Sequence, residues 1–340
     1  MADAENEMYD EAMAHYNAKR YDEAVSIFKI LADQGHAYAQ NTLGVCYENG
    51  LGVTQDSPKA VELYSKAAVQ GDAKAQTNLG FCYENGLGVT QDYTKAVELY
   101  SNAAIQGDDF AQFSLGNCFY YGQGVTQNYV KAVEWFSKAA AQGSVIAQNN
   151  LGACYGSGLG VTQDSTKAFE WYSKAAVQGY ADTQYKLGLA YENGLGVTQD
   201  YVKAAEWYSK AAVQGHASAQ KSLGACYSGG LGVTQDYATA VEWFSRAAAQ
   251  RDVSAQKNLG ACYSGGLGVT QDYAKAFEWY FKAAVQGHSD SQNNVGNCYA
   301  NGQGVIQDYA KAIEWFSKAA AQGNDMAKTN LENLKAKVKT

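Results

Sequence analysis

Seven cysteines carry the widest range of chemistry in this sequence, because thiolates bind metals, form disulfides and act as nucleophiles. They recur every 36 residues, with Ala190 in the one gap, at Cys46, Cys82, Cys118, Cys154, Cys226, Cys262 and Cys298. Because alanine replaces cysteine there, we interpret this position as a small buried side chain. Packed helices lie roughly 10 Å apart, whereas the Cα atoms of a disulfide lie within about 7 Å of each other. We therefore predict free thiols, a reducing compartment and a cytoplasmic protein.

Histidine and glutamate, which serve in acid–base and metal chemistry, follow the same period. His36, His216 and His288 share one position in separate units, so an extended array cannot bring them to one metal ion. A glutamate recurs in every unit and is usually followed four residues later by a cation, as in Glu134 and Lys138. This spacing predicts ion pairs on a helix surface, whereas acid–base catalysis needs one special site. We assign no catalytic residue, no cofactor and no metal, and predict that the protein is not an enzyme.

Two further patterns raise the question of ligand binding. Tryptophan shares one position with Leu63 and Leu99 and occurs at Trp135, Trp171, Trp207, Trp243, Trp279 and Trp315. Because leucine replaces it, we predict core packing rather than stacking on bases or sugars. Every unit also holds a Gly-x-Gly, for example Gly50-Leu-Gly52. A phosphate cradle would need a preceding strand or a following Lys-Ser/Thr, so these glycines indicate turn geometry.

The elements that position these residues are two helices and a loop in each unit. A Leu-Gly pair marks the period from Leu43-Gly44 onward, so that eight units fill residues 37–324 without an insertion. Within residues 73–108, the apolar spacing predicts one helix before the loop and a second after Asp92, its N-cap. Such a period is typical of a solenoid, in which each unit packs only on its neighbours. The sequence therefore predicts an all-α fold.

This unit resembles the Sel-1-like repeat family, a relative of the tetratricopeptide repeats. The resemblance rests on A-x-A-Q-x-x-L-G-x-x-Y at residues 37–47, G-x-G-V-x-Q-D at 50–56 and A-x-E-W-Y/F-x-K-A-A-x-Q-G at 132–143. It implies a right-handed α/α superhelix, one continuous domain with an adaptor or scaffold role. Residues 1–36 look closer to a tetratricopeptide-like helical pair. We expect residues 325–340 to form a C-terminal capping helix with lysines on its outer side.

Charge and composition limit the partners. The chain has 340 residues and a net charge of −8, whereas nucleic acids and anionic membranes attract basic faces. No apolar run reaches the length of about 18 residues that a membrane span requires, and the acidic N-terminus lacks the features of a signal peptide. We therefore expect a protein or peptide partner, no nucleic acid and no membrane. The polar ends lead us to expect a complete chain.

Positions that vary between units are free to contact a partner. In tetratricopeptide-like stacks the first helix lines the concave surface, so we expect the positions of Tyr38, Asn41, Val45 and Glu48 to face a groove. The third unit carries several large aromatic residues at these outward positions, and a row of lysines, including Lys186, follows later. The predicted partner-binding residues are Phe81, Phe110, Phe113, Asn117, Tyr120, Tyr121, Tyr185, Leu189, Lys221 and Lys257.

The sequence leaves two functions open. We favour a non-catalytic scaffold or adaptor that holds a peptide or protein in the concave groove, with Phe113 and Tyr121 as anchors. Neutral variation, or aromatic packing across the loop, remains the alternative explanation of the third unit, and the lysines either dock an acidic peptide or are simply solvated. The alternative function is self-assembly into a homo-oligomer through the terminal repeats. The lysine-rich C-terminal helix argues against it, so we expect a monomer.

Overall fold

The computed structural model describes residues 2–339, and every regular element in that range is a helix. The predicted all-α repeat fold is confirmed. The helices are α1 (Ala2–Asn17), α2 (Tyr21–Asp33), α3 (Ala37–Asn49), α4 (Ser57–Val69), α5 (Ala73–Asn85), α6 (Tyr93–Ile105), α7 (Asp109–Tyr121), α8 (Tyr129–Ala141), α9 (Val145–Ser157), α10 (Ser165–Ala176), α11 (Ala181–Asn193), α12 (Tyr201–Val213), α13 (Ala217–Gly229), α14 (Tyr237–Ala249), α15 (Val253–Gly265), α16 (Tyr273–Val285), α17 (Ser289–Asn301), α18 (Tyr309–Ala321) and α19 (Asp325–Lys339).

Local side chains set the helix ends within each repeat. The Asp72 carboxylate accepts a hydrogen bond of 2.6 Å from the Ala75 amide at the start of α5. The predicted N-cap at Asp92 is confirmed, because its carboxylate accepts the Lys95 amide at 3.1 Å at the start of α6. Helix α5 ends at Gly86 with a left-handed φ of 70°, a conformation that glycine adopts at little cost. The sequence therefore encodes both boundaries locally.

The Leu-Gly pair lets the two helices of a repeat approach closely. A Cβ atom at Gly80 of α5 would lie 2.8 Å from the ring of Tyr100 in α6, which is well inside van der Waals contact. In the loop, a Cβ atom at Gly88 would lie 2.5 Å from the carbonyl of Ser57, in the first turn of α4. The loop of one repeat therefore rests on the second helix of the repeat before it.

Buried glutamines connect successive helices. The Gln76 side chain donates to the Ala68 carbonyl at 3.2 Å and accepts from the Gln106 amide at 2.9 Å. Gln76 is buried, so its amide group needs partners within the protein. The same two bonds occur at Gln40, Gln112 and Gln220. Gln40 is likewise buried, in the first helix of the first repeat.

The chain divides into two compact units, and the boundary falls within the sequence of α10. Unit 1 is Met1–Trp171 and unit 2 is Tyr172–Thr340. Inside each unit, a second helix packs on the first helix of its own repeat and on the first helix of the next one. Buried aromatic rings centre these contacts, as Tyr100 and Phe136 do in unit 1 and Tyr208 and Phe244 do in unit 2.

The recurring tryptophans are half-buried and pack on the preceding repeat. Trp135 contacts the core formed by Tyr100, Ala104 and Leu115, in agreement with the predicted structural role. The Nζ atom of Lys138 lies 3.9 Å from the centroid of the Trp135 ring. The predicted Glu134–Lys138 ion pair is wrong, since the two side chains do not pair and Lys138 lies over the indole. Equivalent pairs do form, with N–O distances of 2.6 Å, at Glu62–Lys66, Glu278–Lys282 and Glu314–Lys318.

Candidate functional site

A groove of about 510 Å³ runs along the first helices of unit 1. We call it the first-helix groove. Its walls come from α3, α5 and the first turn of α7, and it is lined by Asn41, Val45, Glu48, Asn49, Lys74, Thr77, Asn78, Phe81, Asp108 and Phe110. The lining combines side-chain amides, two carboxylates and one lysine with two phenyl rings. Two of the residues predicted from the sequence, Phe81 and Phe110, therefore line the same groove.

The phenyl rings form a continuous path from the groove into the core. The centroids of Phe81 and Phe110 are 6.4 Å apart, those of Phe110 and Phe113 are 6.3 Å apart, and those of Phe113 and Phe136 are 6.1 Å apart. Phe81 is 37% exposed and Phe110 is 45% exposed, whereas Phe113 is half-buried. The prediction that Phe113 points outward is wrong, because its ring packs on the buried Phe136. Phe113 instead packs between the exposed Phe110 and the buried Phe136.

Two tyrosines at the end of α7 lie outside the first-helix groove. Tyr121 is 64% exposed, as predicted. Tyr120 is half-buried and packs across the loop on Tyr129, with ring centroids 5.1 Å apart. This contact matches the alternative explanation of aromatic packing across the loop. The predicted residue Asn117 is also half-buried, and its side-chain oxygen accepts a hydrogen bond of 3.4 Å from Asn150.

The position of Asn41 differs from the sequence prediction. Asn41 is buried rather than outward-facing, and its side-chain oxygen accepts a hydrogen bond of 2.9 Å from Asn78 on α5. The equivalent Thr77 is also buried and donates its hydroxyl to the Asp108 carboxylate at 3.1 Å. The helical spacing of one repeat could not reveal this. The hydrogen-bond partners lie on the neighbouring first helix, Asn78 on α5 and Asp108 at the start of α7. These residues form the floor of the groove rather than its rim.

Glu48 lines the first-helix groove, and Glu84 stands at the same position in the next repeat. Each accepts a hydrogen bond from a buried tyrosine on the second helix of its repeat, Tyr64 at 2.7 Å and Tyr100 at 2.6 Å. Burial, followed by the adjacent carboxylate, raises the pKa of both phenols. The sequence carries a signal for this hydrogen bond. Where Tyr120 replaces the glutamate in the third repeat, Phe136 replaces the tyrosine. The bond from Tyr64 holds the Glu48 carboxylate at a fixed place in the groove.

The predicted residues of unit 2 form a different surface. The Tyr185 ring lies 4.8 Å from the ring of His216, and Leu189 packs against the core around Tyr208. Lys257 lies at the ion-pair limit, with its Nζ atom 4.0 Å from the Asp290 carboxylate. Lys221 makes no ion pair among the described residues. The positive charges of the lysine row are therefore only partly neutralised, because Lys221 has no acidic partner among the described residues.

The histidines that share a repeat position begin helices. His36 Nδ1 accepts the Ala39 amide at 3.2 Å, and His216 Nδ1 accepts the Ala219 amide at 3.1 Å. Aspartate does the same at Asp72 and Asp252 in other repeats. Burial, together with the charge of Lys257, lowers the pKa of His288 at the same position. These rings are structural N-caps.

All seven cysteines are free and buried, as predicted. Burial raises the pKa of the Cys82 and Cys118 thiols to about 12 and that of Cys46 to about 11. Such thiols are poor nucleophiles, because the thiolate is the reactive form. Within residues 2–339, no helix is long and apolar enough to cross a membrane. The same part of the chain brings together no three His, Cys, Asp or Glu side chains in the way a metal ion requires.

Tandem helical pairs of constant length, each packed on the next, define the α-solenoid class of repeat proteins. The family model described as the Sel1 repeat matches eight consecutive segments, residues 37–72, 73–108, 109–144, 145–180, 181–216, 217–252, 253–288 and 289–324. The chain belongs to the Sel1 repeat family. Solenoids of this kind generally mediate protein–protein interactions and are generally non-catalytic.

Two solved structures are similar over most of the chain. A Sel1 repeat protein from Oxalobacter formigenes is 35% identical, covers 90% of this chain and 89% of its own, and has a TM-score of 0.68. The protein c5321, a protective antigen of uropathogenic Escherichia coli with an SLR fold, is 34% identical, with coverage of 93% and 84% and a TM-score of 0.54. No curated protein matches the chain.

Proposed function

We propose that the protein is a non-catalytic adaptor that holds a peptide segment of a partner protein in the first-helix groove. The observation that carries the proposal is the pair of exposed rings, Phe81 and Phe110, beside a groove of about 510 Å³. Aromatic side chains at the centre of an interface supply much of its binding energy. Their exposure in a monomer leaves apolar area that a partner can cover.

Polar groups around the rings suit the backbone of a bound peptide. The side-chain amides of Asn41, Asn49 and Asn78 line the groove, and an amide both donates and accepts hydrogen bonds. Asn41 and Asn78 bond to each other, which holds both amide groups in place before a partner arrives. A preorganised groove loses less entropy on binding than a flexible one. The phenyl rings therefore select apolar side chains, and the amides satisfy the peptide backbone.

The lysines of unit 2 are a second contact surface under this proposal. Lys221 and Lys257 lie at the repeat position that Phe113 occupies in unit 1. Lys221 has no carboxylate partner among the described residues, so an acidic side chain of a partner would neutralise it. Tyr185 and Leu189, which both lie on the first helix α11, add apolar area to the surface. We propose that this surface binds an acidic segment, with smaller energies than the phenyl rings provide.

Affinity capture tests the adaptor role. Wild-type protein and the Phe81→Ala/Phe110→Ala variant are used as bait in lysate of the source cells, and captured proteins are identified and then titrated in purified form. The Val213→Ala/Val285→Ala variant is the matched control, because both valines are exposed but lie on second helices. A partner that binds wild type and control but not the groove variant supports the proposal. Equal binding to all three contradicts it.

We also propose that the two ends of the chain are caps and that the protein is a monomer. Helices α1 and α2 form the predicted pair before the first repeat, and Leu334 of α19 packs on Phe316 of α18. The Nζ atom of Lys337 lies 5.5 Å from the Tyr309 ring centroid. These contacts cover the apolar face of the last repeat. Light scattering should give a monomer mass at all concentrations, whereas a rising mass would favour self-assembly through the terminal repeats.

The buried thiols support a reducing, cytoplasmic location. Seven free cysteines would be exposed to oxidation in an oxidising compartment whenever the chain is unfolded. Fractionation of the source cells tests the proposal directly. Protein in the cytoplasmic fraction that yields seven reactive thiols after denaturation would agree with it, and protein in a secreted fraction would contradict it.

A further inference from the structure

A second cleft in unit 1 lies between the second helices α4 and α6. Its volume is about 430 Å³, and we call it the second-helix cleft. Ala68 and Leu79 form its buried floor, Leu99 is half-buried beside them, and Val69 at its edge is 90% exposed. It shares no lining residue with the first-helix groove. It is therefore a separate site.

The next repeat shows what fills this space. Trp135 stands at the repeat position of Leu99 and packs on a core that includes Ala104 and Leu115, the equivalents of Ala68 and Leu79. An indole covers that floor in one repeat, whereas the smaller leucine leaves it open in the repeat before. The geometry that accepts an aromatic ring is thus present without the ring. A complementary group would be an aromatic side chain from outside the chain.

The same repeat also lacks a cation. Lys138 lies over the Trp135 ring, and the equivalent residue beside Leu99 is Asn102, which carries no charge. In three repeats the glutamate pairs with this cation at 2.6 Å, at Glu62–Lys66, Glu278–Lys282 and Glu314–Lys318. Glu98 borders the cleft and makes no ion pair among the described residues. Lys95 also lines the cleft, but its Nζ atom lies 3.8 Å from the Asp92 carboxylate. The cleft therefore presents an apolar floor beside a carboxylate, that of Glu98, which makes no ion pair of its own in the described part of the chain.

We propose that the second-helix cleft binds an aromatic side chain that has a Lys or Arg next to it in a partner protein. The ring takes the place that tryptophan occupies in the six later repeats, over Ala68 and Leu79 and beside Leu99. The cation pairs with Glu98, as Lys282 does with Glu278. Charge complementarity selects this partner over one that carries a carboxylate beside its aromatic residue.

Tryptamine is a suitable probe, because it joins an indole to an ammonium group by a short chain. Titration of methyl-labelled protein followed by NMR should shift the methyl signals of Ala68, Leu79 and Leu99 and leave those of Val45 in the first-helix groove unchanged. Indole-3-propionate, which carries a carboxylate instead, should bind about twofold to fivefold more weakly, the range for an exposed ion pair. Glu98→Gln should remove this preference.

A variant with the sequence of the other repeats provides the matched control. Leu99→Trp/Asn102→Lys supplies both missing groups from within the chain, so it should keep or raise the melting temperature while tryptamine affinity falls by about tenfold or more. Methyl shifts that survive in this variant, equal binding of the two indoles, or no shifts at the cleft would each overturn the proposal. None of these results bears on Phe81 and Phe110, so the proposed function is tested separately.

Discussion

Unit 1 and unit 2 use the same repeat backbone to present opposite chemistry. At one first-helix position unit 1 has Phe113, which supports the exposed Phe110, whereas unit 2 has Lys221 and Lys257. The residues that fix the backbone are the same in both units, including the Leu-Gly pair and the buried glutamines. Recognition can therefore change without altering the fold, because the Leu-Gly pair and the glutamines fix the backbone whichever side chain stands at the variable position.

Alkaline pH tests whether the interiors of the two units are alike, and we expect it to have the largest effect. Burial raises the pKa of the thiols, so the folded state keeps its protons while the unfolded chain loses them above about pH 8.5. Stability is full below that pH and falls as pH rises, by about 1.4 kcal/mol per thiol and pH unit. The urea midpoint should drop steeply between about pH 8.5 and 10.

Substitutions divide this effect between the units. Cys82→Ala in unit 1 and Cys226→Ala in unit 2 each copy the residue that stands naturally at Ala190. Each substitution should reduce the slope of unfolding free energy against pH by the contribution of one thiol, and the reduction should be the same for both. A urea midpoint that stays constant over this pH range would contradict the buried thiols, and unequal changes would show that the two interiors differ.

The aromatic side of the comparison should dominate partner binding. Phe81→Ala/Phe110→Ala should weaken binding of the captured partner by about 2 kcal/mol or more, roughly thirtyfold, as for central aromatic residues of other interfaces. Calorimetric titration measures the change, and circular dichroism checks that the melting temperature stays nearly constant. Tyr121→Ala is the control on α7, since Tyr121 is exposed but does not line the groove. A thirtyfold loss of affinity in Tyr121→Ala, but not in the double variant, would place the binding site at the end of α7.

A side chain added beside Phe136, at the buried end of the row of phenyl rings, should destabilise the protein. A Cβ atom at Gly116 would lie 2.6 Å from the ring of Phe136, on which Phe113 packs. Gly116→Ala should cost about 1–3 kcal/mol of stability, because the core is overpacked. Gly156→Ala is the matched control, because its Cβ atom would lie 3.7 Å from Ala168 in ordinary contact. Thermal melting compares them, and equal melting temperatures would show that the close approach is not limiting.

The basic side of the comparison should give the smallest effect. Lys221→Ala should weaken binding of a polyglutamate peptide by about 0.2–1 kcal/mol, because exposed ion pairs contribute little. High salt should abolish the difference, since it screens surface charges. Lys275→Ala serves as control, because Lys275 on α16 already lies 3.7 Å from Asp272. Fluorescence anisotropy measures both variants. An equal loss for Lys221 and Lys275 would mean that the peptide responds only to net charge.

The sequence predicted the elements of the fold well because their signals are local. Asp92 begins a helix through an amide three residues later, and Gly86 ends one through its own φ. It was less reliable for the site. Asn41 and Phe113 were both expected to face outward. Asn78, on the first helix of the next repeat, pairs with Asn41, and Phe136, on the second helix of the same repeat, packs on Phe113. Helical spacing within one repeat contains no information about what covers a residue from another helix.

The sequence by itself determined the repeat, its eight units, the helix ends and the identity of the buried small side chains, since each depends on steric and hydrogen-bonding rules within a few residues. Only the tertiary structure decided which variable residues share a surface. It placed Phe81 and Phe110 on one groove, and it left the floor beside Leu99 open where Trp135 covers the equivalent floor. Such surfaces arise from side chains on three different helices, so their shape depends on how the helices pack.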